Sequence, residues 1–215
     1  STSTSAGAPQ PSESRASTVH VVDDDKGFLR SMDRLLRTAG YVVRTFTSAQ
    51  EFLAADRSEC PACLLLDLRM PGVSGIDLQE KLAASDEDLP IVFLSGHAEF
   101  HSGVRAMKAG AVDFLAKPFT EAELLAAVAK ALDRDRRAHA ARALKQDALD
   151  RLARLTPRER QVCDLVATGL LNKQIAAELG AAEKTIKCHR GRVMEKLEVG
   201  SVAELVRLVD LARQP

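Results

Sequence analysis

The sequence predicts an α/β domain on a five-stranded parallel sheet, doubly wound with helices, joined by a long helix to a smaller all-α domain of four helices. Three observations carry this reading. Short apolar runs at 19–22, 41–46, 63–66, 90–94 and 111–115 alternate with segments of helical spacing, the pattern of five βα units whose sheet is covered on both faces. Residues 121–155 read helical almost throughout, rich in Ala, Leu, Arg and Asp and free of Gly and Pro. After that, caps and glycine stops divide the chain into short helices only.

Residues 1–17 are Ser, Thr, Ala and Pro with almost nothing large and apolar, so they cannot repay the entropy of ordering and are expected to form a disordered tail. The α/β domain is expected over 18–132. Its first helix shows as a stripe of Phe28, Leu29, Met32, Leu35, Leu36 and Ala39, closed by Gly40. Ser48 with Glu51 and Thr120 with Glu123 mark two further helix starts as capping boxes. A helical linker is expected over 133–154. There Leu144, Ala148 and Leu152 share a face, with Leu149 beside them. That face either docks on its own chain or pairs with a second copy, and the sequence leaves both open.

Charge cancels over the whole chain but not along it. Residues 18–132 hold 12 Lys/Arg against 17 Asp/Glu, whereas 156–215 hold 10 against 8, an acidic half followed by a mildly basic one. This balance fits a cation-binding domain joined to one that meets a polyanion. No apolar run approaches the ~18 residues of a membrane span, and the N-terminus lacks the basic and apolar regions of a signal peptide, so the expected location is the cytoplasm with no membrane partner. The four cysteines fit a reducing compartment. Cys60-Pro61-Ala62-Cys63 is a lone CxxC without a second pair, best read as ordinary burial, and His97 and His101 lack a third ligand and read as surface histidines.

In an open parallel sheet, sites form beyond the carboxyl ends of the strands. Asp23 and Asp24 end one apolar run, Asp67 another and Ser95 a third, while Lys117 follows the fifth and precedes Pro118. Carboxylates to hold a divalent cation, a nucleophilic carboxylate, a hydroxyl and an ammonium are what phosphoryl transfer to an aspartate requires. Asp67 is therefore expected to accept a phosphoryl group. Pro118 is a plausible cis site that would turn the lysine inward.

At Val21-Val22-Asp23-Asp24-Asp25, Leu66-Asp67-Leu68-Arg69-Met70-Pro71-Gly72, Phe93-Leu94-Ser95-Gly96 and Asp113-Phe114-Leu115-Ala116-Lys117-Pro118-Phe119 the chain resembles the receiver domain of bacterial two-component response regulators, over roughly 18–132. The resemblance implies a flavodoxin-like fold and a histidine kinase as phosphoryl donor to Asp67. It further implies Mg2+ (or Mn2+) on Asp24, Asp67 and the backbone carbonyl of Arg69, with Asp23 acting through water. Ser95 and Lys117 would hold phosphoryl oxygens. Phe114 stands where the family carries an aromatic switch that follows Ser95 inward. The plainer reading of Phe114 is core on a central strand.

Thr156-Pro157-Arg158-Glu159 opens a helix with a capping threonine, proline at the first position and a reciprocal glutamate. Val162, Leu165 and Val166 supply its apolar face, and Gly169 stops it. Asn172 is expected to cap the next helix, 172–179, and Gly180 to turn the chain into a third at about 183–197. Ser201 with Glu204 opens a fourth. Two short helices joined by a tight glycine turn form a helix-turn-helix. Ile186, Val193 and Leu197 must face the core, which throws Lys184, Lys187, Cys188 and Gly191 outward, the face that belongs in a major groove.

Through Leu155-Thr156-Pro157-Arg158-Glu159, Gly169-Leu170-Leu171-Asn172-Lys173-Gln174-Ile175-Ala176 and Glu183-Lys184-Thr185-Ile186-Lys187-Cys188-His189-Arg190 the chain resembles the LuxR/FixJ-type DNA-binding domain, across about 149–214, with the domain proper at 155–215. The resemblance implies a homodimer formed on phosphorylation, double-stranded DNA with paired half-sites, RNA polymerase as a partner, and activation of transcription. Lys173, Arg190 and Arg192 are expected on phosphates, and Lys184, Thr185, Lys187, Cys188 and Gly191 on the reading face. Ala182 departs from the family's usual capping serine or threonine.

Two other functions compete. A magnesium-dependent phosphatase of the haloacid dehalogenase type wants a second aspartate two residues after the nucleophile, and Arg69 stands there. Chemistry on its own Asp67 is thus expected, and no turnover of external substrates. A receiver that no longer switches would have lost part of the constellation, which is complete here.

Overall fold

The computed structural model describes residues 17–56, 61–85, 88–96 and 105–214. Most of the expected tail, Cys60 of the CxxC pair, and both His97 and His101 lie outside the described residues. The chain divides into two compact units, the first ending at Ala138 and the second beginning at His139.

In the first unit five parallel strands, β1 (Thr18–Val22), β2 (Val42–Phe46), β3 (Ala62–Asp67), β4 (Ile91–Ser95) and β5 (Asp113–Ala116), lie in the order β2-β1-β3-β4-β5. Alternate residues of each strand enter opposite layers, because successive side chains on a strand point to opposite faces. Val19, Val21, Val43, Cys63, Leu65, Val92 and Leu94 pack with α1 (Lys26–Thr38) and the first turns of α4 (Glu121–Ala153). Val22, Phe46, Leu64, Leu66, Ile91 and Phe93 pack with α2 (Ala49–Ala54) and α3 (Gly75–Ala84). Residues 105–108 are helical as well, and Ala106 joins this second layer.

Several local expectations need correction. Ser17 is buried, its carbonyl accepts from Val42 N and its hydroxyl from Arg136, so the packed unit includes a residue assigned to the tail. The last strand begins at Asp113 rather than 111 and lies at the sheet's edge, so Phe114 is half-buried and not on a central strand. Glu51 N donates to Ser48 Oγ, but the Glu51 carboxylate reaches back one residue further, to Thr47. Thr120 and Glu123 form the reciprocal pair as expected. Lys117-Pro118 is cis.

The second unit holds α5 (Pro157–Ala167), α6 (Asn172–Glu178), α7 (Glu183–Lys196) and α8 (Val202–Arg213). Leu152, Val162, Val166, Ile175, Ile186, Val193, Leu197, Leu205 and Val209 form its core. Thr156 and Glu159 make the expected capping box. Gly180 turns the chain between α6 and α7 at φ +60°, a conformation that costs a residue with a β-carbon. The linker expected at 133–154 is the continuation of α4. Along it Ala148 and Leu152 are buried, whereas Leu144 is 60% exposed and Leu149 40%. No described helix is long and apolar enough to cross a membrane.

Candidate functional site

The ends of β1, β3 and β5 bring three of the expected residues into direct contact. Lys117 Nζ donates to Asp23 Oδ2 and to Asp67 Oδ1, each at 2.7 Å. Asp23 is the first residue past β1, Asp67 the last of β3, and Lys117 the first past β5. Asp23 is 2% exposed and Asp67 9%, so both acids are buried. The other Asp67 oxygen accepts from Arg69 N at 2.8 Å, and Asp23 Oδ1 from Asp25 N at 2.8 Å. Backbone donors thus orient both acids.

Burial raises the Asp67 carboxyl above its ordinary range, and Asp23's charge adds to this against the opposing Lys117 bond. Burial pulls the Lys117 ammonium the other way, but its bonds to Asp23 and Asp67 win and hold its pKa above normal. One ammonium between two acids leaves the pocket short of positive charge. That is an observation in favour of a hard cation with oxygen ligands.

The three consecutive aspartates have different fates. Asp23 faces the pocket. Asp24 is exposed, and Asp25 caps α1 by accepting from Gly27 N and Phe28 N, which lowers its pKa. Among the described residues no three His, Cys, Asp or Glu side chains converge tightly enough to grip an ion. Asp23 and Asp67 meet through Lys117, and Asp24, the next residue after Asp23, is exposed. Ser95 ends β4, is 1% exposed and donates to the Gly96 carbonyl at 3.1 Å; its own carbonyl accepts from Lys117 N. Phe114 packs beside the layer that contains Phe93.

Two neighbours of the pocket escaped sequence reasoning. Phe28 places its ring 4.1 Å from Lys117 Nζ, having been read only as core. Gly75 opens α3 against the end of β3, where an added β-carbon would stand 2.5 Å from the Asp67 carbonyl oxygen. The signal that could have found Gly75 is the Ser74-x-x-Asp77 capping box that starts α3.

In the second unit α6, the Gly180 turn and α7 form the helix-turn-helix. Ile186, Val193 and Leu197 are fully buried, and Lys184, Thr185, Lys187, Cys188, Gly191 and Arg192 are exposed, as is Lys173 on α6. Arg190 differs. It is half-buried on the inward stripe, one turn from Ile186, and its guanidinium donates to Asn172 Oδ1 at 3.0 Å. Asn172 is therefore not the cap expected of it: Leu171 holds the cap position of α6 and is 69% exposed, its N–H donating to Gln174 Oε1 at 2.8 Å while its own side chain offers no acceptor. Ala182 likewise caps α7 with no side-chain bond. Beneath the motif Lys196 pairs with buried Glu159 at 2.6 Å, and this bond, with Thr156 N, pushes the Glu159 pKa down to about 2.

Residues 19–129 match the response regulator receiver domain, and 153–209 the bacterial regulatory proteins of the luxR family. The chain belongs to the two-component response regulators with a LuxR-type DNA-binding domain. Nodulation protein W of Bradyrhizobium diazoefficiens is 47% identical over 190 residues, 88% of this chain and 84% of that protein. The transcriptional regulatory protein FixJ of the same organism is 41% identical over 190 residues, covering 88% and 93%. Among solved structures, the response regulator StyR is 48% identical with a TM-score of 0.82 over 91% of this chain and 98% of that one. Full-length FixJ from B. japonicum is 40% identical with a TM-score of 0.56, covering 91% and 96%. This response regulator thus joins a receiver fold to a DNA-binding helix-turn-helix.

Proposed function

We propose that Asp67 of this response regulator accepts a phosphoryl group from a histidine kinase and that the phosphorylated chain dimerises, binds paired DNA half-sites and, with RNA polymerase, activates transcription in the cytoplasm. The observation that carries this is the ammonium of Lys117 shared between Asp23 and Asp67 at 2.7 Å. Residues 18–132 are the receiver in this reading, 133–154 the helical connection and 155–215 the DNA-binding part.

In the transfer, Asp67 attacks phosphorus as the N–P bond of the donor histidine breaks, leaving an acyl phosphate and a free imidazole. Asp67, Asp24, the Arg69 carbonyl and, through water, Asp23 would hold Mg2+ (or Mn2+), which would supply charge neutralisation between these acids and the incoming phosphoryl oxygens. Lys117 leaves its bond to Asp67 and takes a phosphoryl oxygen, and the Ser95 hydroxyl takes another. Phe114 fills the space Ser95 vacates. The chain's chemistry is confined to forming and losing this one bond.

The mark need only bias two existing states by a few kcal/mol. Lys184, Thr185, Lys187, Cys188 and Gly191 then present the reading surface, while Lys173, Arg190 and Arg192 hold phosphates. The test combines acetyl phosphate and magnesium with mass by light scattering and operator affinity. Labelling at residue 67, doubled mass and tighter operator binding, all lost in Asp67→Asn, are expected. Equal affinity with and without the donor would leave the receiver as a passive module.

A further inference from the structure

Lys117 has three N–H donors, of which Asp23 and Asp67 take two. The Phe28 ring, its centroid 4.1 Å from Nζ, covers a further side of the ammonium. That distance is well inside the range of an attractive cation–π contact. Phe28 is itself fixed: its backbone N–H donates to Asp25, and its ring meets Phe119 edge-on at 6.2 Å and 83°. Phe119 follows Lys117-Pro118, so one aromatic pair touches the lysine segment from two directions. Both rings also pack against the layer of core formed by α1 and α4.

We propose that Phe28 is a positioning residue for phosphoryl transfer, its π face keeping the Lys117 ammonium aimed into the pocket. The inference rests on the reading of Asp67 as phosphoacceptor. It concerns the lysine rather than the acid. An alkane in place of the ring leaves one side of the ammonium to water, which widens the directions Nζ samples and weakens its aim at the phosphoryl oxygens. A hydroxyl added at the para position leaves the π face intact.

The test labels the full chain with acetyl phosphate and magnesium over a range of donor concentrations. Phe28→Leu should lower the limiting rate roughly two- to tenfold, with the half-saturating donor concentration unchanged, and Phe28→Tyr should restore it. Ring-trifluorinated phenylalanine at position 28, which keeps the shape and drains the π face, should act like leucine. Without metal or donor, the Lys117 ε-methylene protons should be shifted upfield by the ring in the wild type and the tyrosine variant, and not in the leucine variant. Wild-type rates in the trifluorinated variant, or Lys117 resonances indifferent to residue 28, would overturn the proposal. A wild type that takes no label, or takes it equally in Asp67→Asn, would instead overturn the phosphoacceptor reading itself.

Discussion

The first residue of α3 lies so close to the last residue of β3 that a β-carbon on Gly75 would stand 2.5 Å from the Asp67 carbonyl oxygen, 3.2 Å from Leu68 Cα and 3.0 Å from the Phe93 ring. Two of those neighbours are backbone and cannot step aside. The close approach is sealed by Gly75 N donating to Leu68 O at 3.1 Å. Gly75→Ala must therefore push α3 away from the strand that carries Asp67. The expected cost is about 1–3 kcal/mol of stability, read by urea unfolding, together with slower labelling at Asp67. Unchanged stability would mean that the helix start is looser than this packing requires.

Asp67→Asn removes one of two acids that share a single ammonium. Because burial raises the Asp67 pKa above the ordinary aspartate value of 3.8, its ionised form is held at a cost in the folded chain. A raised pKa contributes stability below the unfolded value and loses it as pH rises through the folded one, so the penalty sets in as pH rises above the unfolded value. The asparagine variant should unfold later at pH 7, by about 0.5–2 kcal/mol, with the gap closing as pH falls towards 3.8. Thermal melts across that range check both the sign and the window.

Ala182 adopts the extended backbone of a helix cap, φ −71° and ψ 143°, yet offers no side-chain acceptor to the start of α7. Ala182→Ser supplies one and should stabilise the C-terminal unit by about 1 kcal/mol. Leu171→Ser should do the same for α6, whose cap position is φ −78° and ψ 157°, while also removing an exposed leucine. Denaturant midpoints of the two single variants and the pair should rise additively if the two caps act independently.

Asn172 Oδ1 accepts from Arg190 at 3.0 Å and so fixes the half-buried arginine that the proposed function places on phosphate. Asn172→Ala should weaken operator binding about threefold to tenfold with only a small drop in melting temperature, and lower the slope of log affinity against log salt by about one contact. In Arg190→Ala the same asparagine substitution should have no further effect on affinity. Additive losses would show that the two residues act on DNA separately.

Much of this protein was legible in its residues. Apolar runs followed by Asp, Asp, Ser and Lys pointed to the strand ends of a parallel sheet, and the helical spacing of Ile186, Val193 and Leu197 pointed to the outward face of α7. Such patterns are readable because burial repeats along the chain with the period of the element.

Tertiary structure decided what has no period. Of Asp23, Asp24 and Asp25, one is turned into the pocket, one stays in solvent and one caps a helix, since the strand exit and the helix start fall within the same three residues. The short side chain of Asn172 suits a cap equally well, but the fold brings Arg190 beside it from 18 residues away and it bonds there instead. The ring of Phe28 over Lys117 is likewise a distance between segments remote in sequence, and the missing β-carbon of Gly75 against Asp67 depends on how the intervening loop folds back on β3. A local pattern records what a residue prefers, and only the packed chain sets which partner comes within reach.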